Sequence, residues 1–199
     1  MNCPGTGAGD PLPAPLLPNQ PQGLPPHRLK VALVHPQIAP NTGNIARLCV
    51  ATGTELHLVR PLGFVLSDRN LRRSAMDYWS RLNYVLHDDL AAFSRSAGDT
   101  ARMWMFDSVG ETHLWDADFG DGDWLVFGSE TRGLPAELMS REPGFSVRIP
   151  QVAGERCLNL ATSAGIALFE ALRRAQIRTL LNDRRSNVVT SGDHASDNP

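Results

Sequence analysis

Cysteine is scarce in this sequence. Cys3, Cys49 and Cys157 are the three present in 199 residues, and no CxxC occurs. An odd, widely spaced set excludes a disulfide framework and a thiolate zinc site, and points to a reducing, cytoplasmic setting. The six histidines fall into no HxxxH or HxH pattern, so no metal centre is expected. No apolar run has the length that crosses a bilayer, and residues 1–28 have neither the basic start nor the continuous apolar stretch of a secretory leader, so no membrane association is expected. A strong positive charge is missing as well. The net charge is −2 and the pI about 6.3, so contact with a polyanion must use a local patch. No GxGxG turn follows the first apolar run, which excludes a dinucleotide-binding fingerprint.

What is present divides into three. Residues 1–28 are rich in Pro and Gly and bury too little apolar surface to offset their ordering entropy, so they read as a disordered extension. Residues 177–199 read as a polar tail of the same kind. Residues 29–176 hold the periodic apolar segments and suit a single domain.

Within that domain, residues 29–34 (LKVALV), 55–59 (ELHLV), 83–86, 101–106 (ARMWMF), 124–127 (WLVF) and the short FSVRIP segment read as strands. Helical patterns lie between them, over 68–75, over 88–96 and after CLNL at 157–160. Pro36 and Pro40 keep the chain extended after the first strand, so the first helix is expected to begin beyond them, with Asn41 or Thr42 as N-cap. Its inward stripe is Ile45, Leu48, Cys49 and Thr52, and Gly53 is its stop. Residues 107–123 read as a turn-rich loop. Strands alternating with helices predict an α/β fold with a mostly parallel sheet and helices on both faces.

Polar residues gather where such folds bind ligands, at the carboxyl ends of strands. Asn41, Asn44 and Arg47 recur every three residues, which points to a shared face at the start of the first helix. A cap is the plainer role for Asn41. Gly128 and Gly133 in GSETRGLP permit close approach of main chain to a ligand. Glu130 either orients Arg47 or Arg132 or makes a structural ion pair, and Asn159 either faces the site or caps the closing helix. Arg69, Arg72 and Arg73 form a cluster at i, i+3 and i+4 that is either a solvated face or a phosphate-binding, hence RNA-binding, patch. In the closing helix Leu160, Ala164, Leu168, Ala171, Leu172 and Ala175 form one stripe, while Gly165, Ile166 and Phe169 make a second apolar face. That second face suits either another subunit or burial within the domain.

The stretches HPQIAPNTGNIARLCVATG, LVFGSETRGLP and RIPQVAGERCLNLATSAGIALFEALRR, in this order, resemble the three motifs of the SPOUT RNA methyltransferases. With RPLGF and DRNLRRSAMDY between them, the resemblance is to the tRNA (cytidine/uridine 34) 2′-O-methyltransferase subgroup, and it covers about residues 29–176. It implies a deep trefoil knot in the C-terminal half, a homodimer, S-adenosylmethionine as cosubstrate and the tRNA anticodon stem-loop as partner. The implied cofactor positions are Phe106, Gly128, Ile149 and Cys157, with Asn159 beside them. Asn41, Asn44, Arg47, Glu130 and Ser163 are the implied catalytic set. The alternatives are a 2′-O-methyltransferase for another tRNA or rRNA position and a non-enzymatic RNA-binding protein.

This chain departs from the subgroup in places. Cys157 stands where serine is common, Ala161 and Thr162 replace Ser and Asn of MNLSNS, and Phe169 replaces a tyrosine. Arg47 is the residue to which the resemblance assigns the proton step. A guanidinium with a pKa above about 12 has no lone pair to offer as a base, so orientation of the nucleotide and stabilisation of charge on the 2′-oxygen suit it better.

Overall fold

The computed structural model describes residues 24, 26–66, 76–140 and 145–190. Among these residues seven strands form one sheet in the order β3-β2-β1-β6-β4-β7-β5, with each pairing of neighbours parallel. They are β1 (Lys30–Val34), β2 (Glu55–Val59), β3 (Tyr84–His87), β4 (Met103–Phe106), β5 (Thr112–His113), β6 (Trp124–Phe127) and β7 (Ser146–Arg148). The α-helices are α1 (Ala39–Thr52), α2 (Leu90–Ala97), α3 (Ala136–Met139) and α4 (Leu160–Thr190), and Met76–Arg81 is a 3-10 helix.

Alternation along each strand sends side chains to two cores. Val31, Leu33, Leu58, Trp104, Phe106, Leu125 and Phe127 face α1 and α4, where Ile45, Cys49, Ala164, Leu168 and Leu172 meet them. Ala32, Val34, Val59, Met103, Met105, Trp124 and Val126 face the other way, onto Phe93 of α2 and Leu138 of α3. Cover on both faces explains why β4 and β6 are apolar at every position rather than at alternate ones. Helix α4 packs on α1, and Gly165 is not required there for space: a Cβ would lie 4.0 Å from Leu48 Cδ2, an ordinary contact.

Several sequence expectations need correction. Helix α1 starts at Ala39 with Ile38 as N-cap, so Pro40 lies inside the first turn and neither Asn41 nor Thr42 is the cap. A first-turn N–H has no intrahelical partner, and a proline there loses nothing. The loop at 107–123 contains β5, too short to show alternation, which Arg148 holds through the carbonyls of Gly110 and Glu111 and through His113 Nε2 at 2.7 Å. Helix α4 continues to Thr190, past residue 176 where a polar tail was expected to begin. The helix expected over 68–75, with Arg69, Arg72 and Arg73, lies outside the described residues, as does Cys3.

Candidate active site at the carboxyl ends of the strands

The loop that follows β6 shapes the site. Ser129 and Gly133 exchange main-chain hydrogen bonds of 3.0 and 2.9 Å, closing residues 129–133 into a tight turn. A Cβ on Gly128 would lie 2.0 Å from the Gly133 carbonyl carbon, and Gly133 itself has φ of 67°. The close approach that requires glycine at 128 is therefore made to the loop's own main chain.

One cavity of about 350 Å³ lies between this loop, the segment after β4 and the segment from β7 to α4. Phe106, Gly128, Glu130, Ile149, Cys157 and Ser163 line it. Residues scattered over 57 positions of sequence thus meet because β4, β6 and β7 end side by side. Asn159 is not in the wall. Its Oδ1 accepts from the N–H groups of Ala161 at 2.8 Å and Thr162 at 3.3 Å, which makes it the N-cap of α4.

Glu130 does something the sequence did not suggest. Its carboxylate accepts the N–H of Gln37 at 2.8 Å, the N–H of Ile38 at 3.2 Å and the Asn41 side-chain amide at 2.9 Å. Among the described residues it pairs with no arginine, which corrects its expected link to Arg47 or Arg132. Ile38 offers no side-chain cap to α1, so a carboxylate 92 residues away supplies the acceptor and the negative charge that a helix start favours. Asn41 in turn accepts from Asn159 Nδ2 at 3.0 Å. Glu130, Asn41 and Asn159 form one chain of hydrogen bonds, and each comes from a different motif.

Asn41, Asn44 and Arg47 do not share one face. Asn41 is 6% exposed and points into this network, while Asn44 and Arg47 are exposed. Three-residue steps on a helix of 3.6 residues per turn drift by about 60° each, enough over two steps to carry Arg47 onto a different side. The Arg47 guanidinium lies over the Tyr78 ring, 5.0 Å from its centroid, and Arg81 lies 5.1 Å from the same ring. Sequence reading did not anticipate this contact, although Tyr78 ends the quoted DRNLRRSAMDY stretch. An aromatic ring between two cations was the available signal, hidden because one cation is 31 residues upstream.

Burial pushes the Cys49 thiol up to about 12, so it is an inert core group, whereas Cys157 is exposed at the cavity. Among the described residues, no group of three or more His, Cys, Asp and Glu side chains is placed to hold a metal ion, and no helix is long and apolar enough to cross a membrane.

The sequence pattern of the SpoU rRNA Methylase family matches residues 28–169. A tRNA (cytidine(34)-2′-O)-methyltransferase of Burkholderia ambifaria is 48% identical over 147 residues, covering 73% of this chain and 94% of the relative. A protein of the same name from Photorhabdus asymbiotica is 40% identical, covering 73% and 93%. A solved structure from work on the 2-OH methylation of C/U34 on tRNA superposes with a TM-score of 0.71 at 44% identity, covering 74% of this chain and 96% of that one. An AdoMet-bound rRNA methyltransferase from Sinorhizobium meliloti gives 0.66 at 29% identity, over 75% of this chain and 58% of that one. The pattern spans most of the folded residues and the relatives cover nearly their whole length: the chain belongs to the SpoU rRNA methylase family.

Proposed function

We propose that this protein transfers a methyl group from S-adenosylmethionine to the ribose 2′-hydroxyl of the wobble nucleotide, C34 or U34, of tRNA. The observation that carries the reading is the hydrogen-bond chain Glu130–Asn41–Asn159, which ties the three motif segments around one cavity. The names of the relatives above supply the nucleotide.

The cavity suits the cosubstrate. Phe106, Ile149 and Leu160 give apolar surface for a purine ring. Among the described residues no main-chain hydrogen bond engages Cys157 or Leu158, so N–H and C=O groups there are free for a ligand. Main-chain contacts tolerate the cysteine at 157. Phe106, Gly128, Ile149 and Cys157 are assigned to the cofactor, and Asn159 acts through the cap that fixes the start of α4. S-adenosylmethionine, when bound, supplies a methyl group on a sulfonium sulfur.

The chain's own part is mostly positioning, since an in-line displacement gains most from alignment. Arg47 is the nucleotide-side residue. Its planar fork, held against Tyr78, orients the ribose and stabilises charge growing on the 2′-oxygen, and the proton leaves to an RNA phosphate or to water. Ser163 and Asn44 are assigned supporting contacts to the substrate. Arg69, Arg72 and Arg73 are assigned to anticodon stem-loop phosphates. The same reading includes a C-terminal trefoil knot, a cytoplasmic enzyme and a homodimer. Ile166 at 40% and Phe169 at 53% exposure are the apolar side chains of α4 that a partner copy would cover.

The test is direct. Purified protein, S-adenosylmethionine and unmodified tRNA transcripts are incubated, and the digested RNA is read by mass spectrometry. Methylation of the ribose at position 34 is expected. A product at another position, with 34 untouched, would reassign the substrate.

A further inference from the structure

A second cavity, of about 440 Å³, lies on the other side of the 128–133 loop and has no part in the roles above. Its walls include His35 and Gln37 after β1, Pro61 and Leu62 after β2, and Leu134 and Pro135 after β6. Ser129, Arg132 and Gly133 line both cavities, so the loop is their common wall.

The site is built with care for its shape. His35 has φ of 54°, a left-handed conformation uncommon outside glycine, and structures retain such residues where the surroundings fix them. Its N–H is bound to the Val59 carbonyl at 3.0 Å. Gly63 packs so closely on Gln37 that a Cβ would lie 2.6 Å from Gln37 Cα, and its N–H donates to the Pro36 carbonyl at 2.9 Å. Two walls are therefore locked together through main chain. The Gln37 side chain is oriented too: its Oε1 accepts from the Thr131 hydroxyl at 2.8 Å. Gln37 is exposed, and its amide NH₂ keeps two donor hydrogens with, among the described residues, no protein acceptor, so it meets solvent until a ligand enters.

We infer that this cavity takes the base of the target pyrimidine nucleotide, with the Gln37 NH₂ donating to the O2 carbonyl that cytosine and uracil share. The inference rests on the ribose-methylation reading above. A ribose that presents its 2′-hydroxyl to the first cavity carries its base on the adjacent carbon, and in this arrangement the base is directed over the shared loop. A nucleotide in an anticodon loop is single-stranded, and swinging its base into a protein pocket breaks no duplex pairing. Proline and leucine side chains supply apolar surface for the ring. Cytosine and uracil differ at their 4-position and agree at O2. A donor that reads O2 accepts both and rejects neither, which is the behaviour a C-or-U enzyme needs.

The test compares the full-length protein with Gln37→Leu, which keeps the size of the side chain and removes the donor. Three tRNAs are used, with cytidine, uridine or an abasic ribose at 34. The variant is expected to lose about tenfold in kcat/KM on the cytidine and uridine substrates alike, the scale of one unmade hydrogen bond. On the abasic tRNA the native protein falls at least as far, and the two proteins become equal, because neither has a base to hold. Calorimetry should show unchanged S-adenosylmethionine affinity, and the melting temperature reports folding. Equal rates for variant and native protein on the cytidine tRNA would overturn the inference. So would a tenfold loss that persists on the abasic tRNA, since that loss comes from the Thr131 contact. A native protein that methylates no nucleotide 34 would overturn the reaction reading and this one together, and is recognised without any variant.

Discussion

Asn159 donates its side-chain amide to Asn41 Oδ1 at 3.0 Å across 118 residues of sequence. The contact joins the starts of α1 and α4, the two helices that pack against each other on one face of the sheet. Asn159→Ala removes a cap and should cost about 1 kcal/mol. Asn41→Ala leaves the half-buried Glu130 and the exposed Asn159 each short of a hydrogen bond and should cost about 0.5–1.5 kcal/mol. Because the two share one bond, the double variant should lose less than the sum, with a coupling of about 0.5–3 kcal/mol in urea unfolding. Strictly additive losses would mean that the amides act separately.

Gly128→Ala is expected to be far more damaging than its single methyl suggests. The new Cβ meets main chain at 2.0 Å, and main chain at Gly133 has no rotamer by which to withdraw. The loop must open, so S-adenosylmethionine binding should be lost at a concentration that saturates the native protein. Calorimetry giving native affinity would show that the loop tolerates the opening.

Arg47→Ala and Arg47→Lys should both abolish transfer, since an ammonium reproduces neither the fork nor the stacking on Tyr78. Tyr78→Phe keeps the ring and should retain most activity, whereas Tyr78→Ala should fall towards the Arg47 variants. Cofactor affinity should stay native in all four. An Arg47→Ala protein that no longer binds S-adenosylmethionine would move the residue to the other side of the reaction.

Acid should destabilise the fold through two histidines. Burial, then the neighbouring His87, then Lys30, push His57 down to about 3 from an ordinary 6.5, and burial lowers His87 as well. Their rings are 2.8 Å apart between Nδ1 of His57 and Nε2 of His87, and His57 is 3% exposed. A group whose folded pKa is depressed binds its proton more readily when unfolded. Its stabilising contribution is therefore complete above about 6.5 and is lost as the pH falls towards about 3. The melting temperature should decline over that window, and the decline should be shallower in His57→Gln. An unchanged slope in the variant would assign the acid sensitivity elsewhere.

Ile166→Glu should yield a folded monomer. The side chain is 40% exposed in the single chain, so a carboxylate there reaches water without disturbing the Ala164–Leu168 core stripe. Light scattering at micromolar concentration should report a dimer for the native protein and a monomer for the variant. A native monomer would remove the homodimer from the proposal.

Much of the sheet was legible because parallel strands buried on both faces read as continuous apolar runs, as WLVF and MWMF do. Phe106, Gly128, Ile149 and Cys157 came from the resemblance of the motifs, and the structure lines one cavity with all four. Side-chain pairings were not legible. Glu130 looked like a partner for arginine because charge is visible in a sequence, whereas three N–H groups at a helix start are not. Tyr78 stayed unnoticed because its role depends on Arg47 from another segment. β5 escaped because two residues cannot show a period, and Pro40 misled because a proline that blocks a helix interior is harmless in its first turn.

The strand order has a consequence for how the chain is made. β1 sits between β2, which follows it closely, and β6, which is roughly ninety residues further on. During synthesis at about 5–20 residues per second, β1 waits for roughly 5–18 s with one edge unpaired, and that edge belongs to an apolar strand of the central sheet. The growing chain therefore spends that interval as a half-sheet open to adhesion. Slower translation between residues 34 and 124 should lengthen that interval and lower the soluble yield.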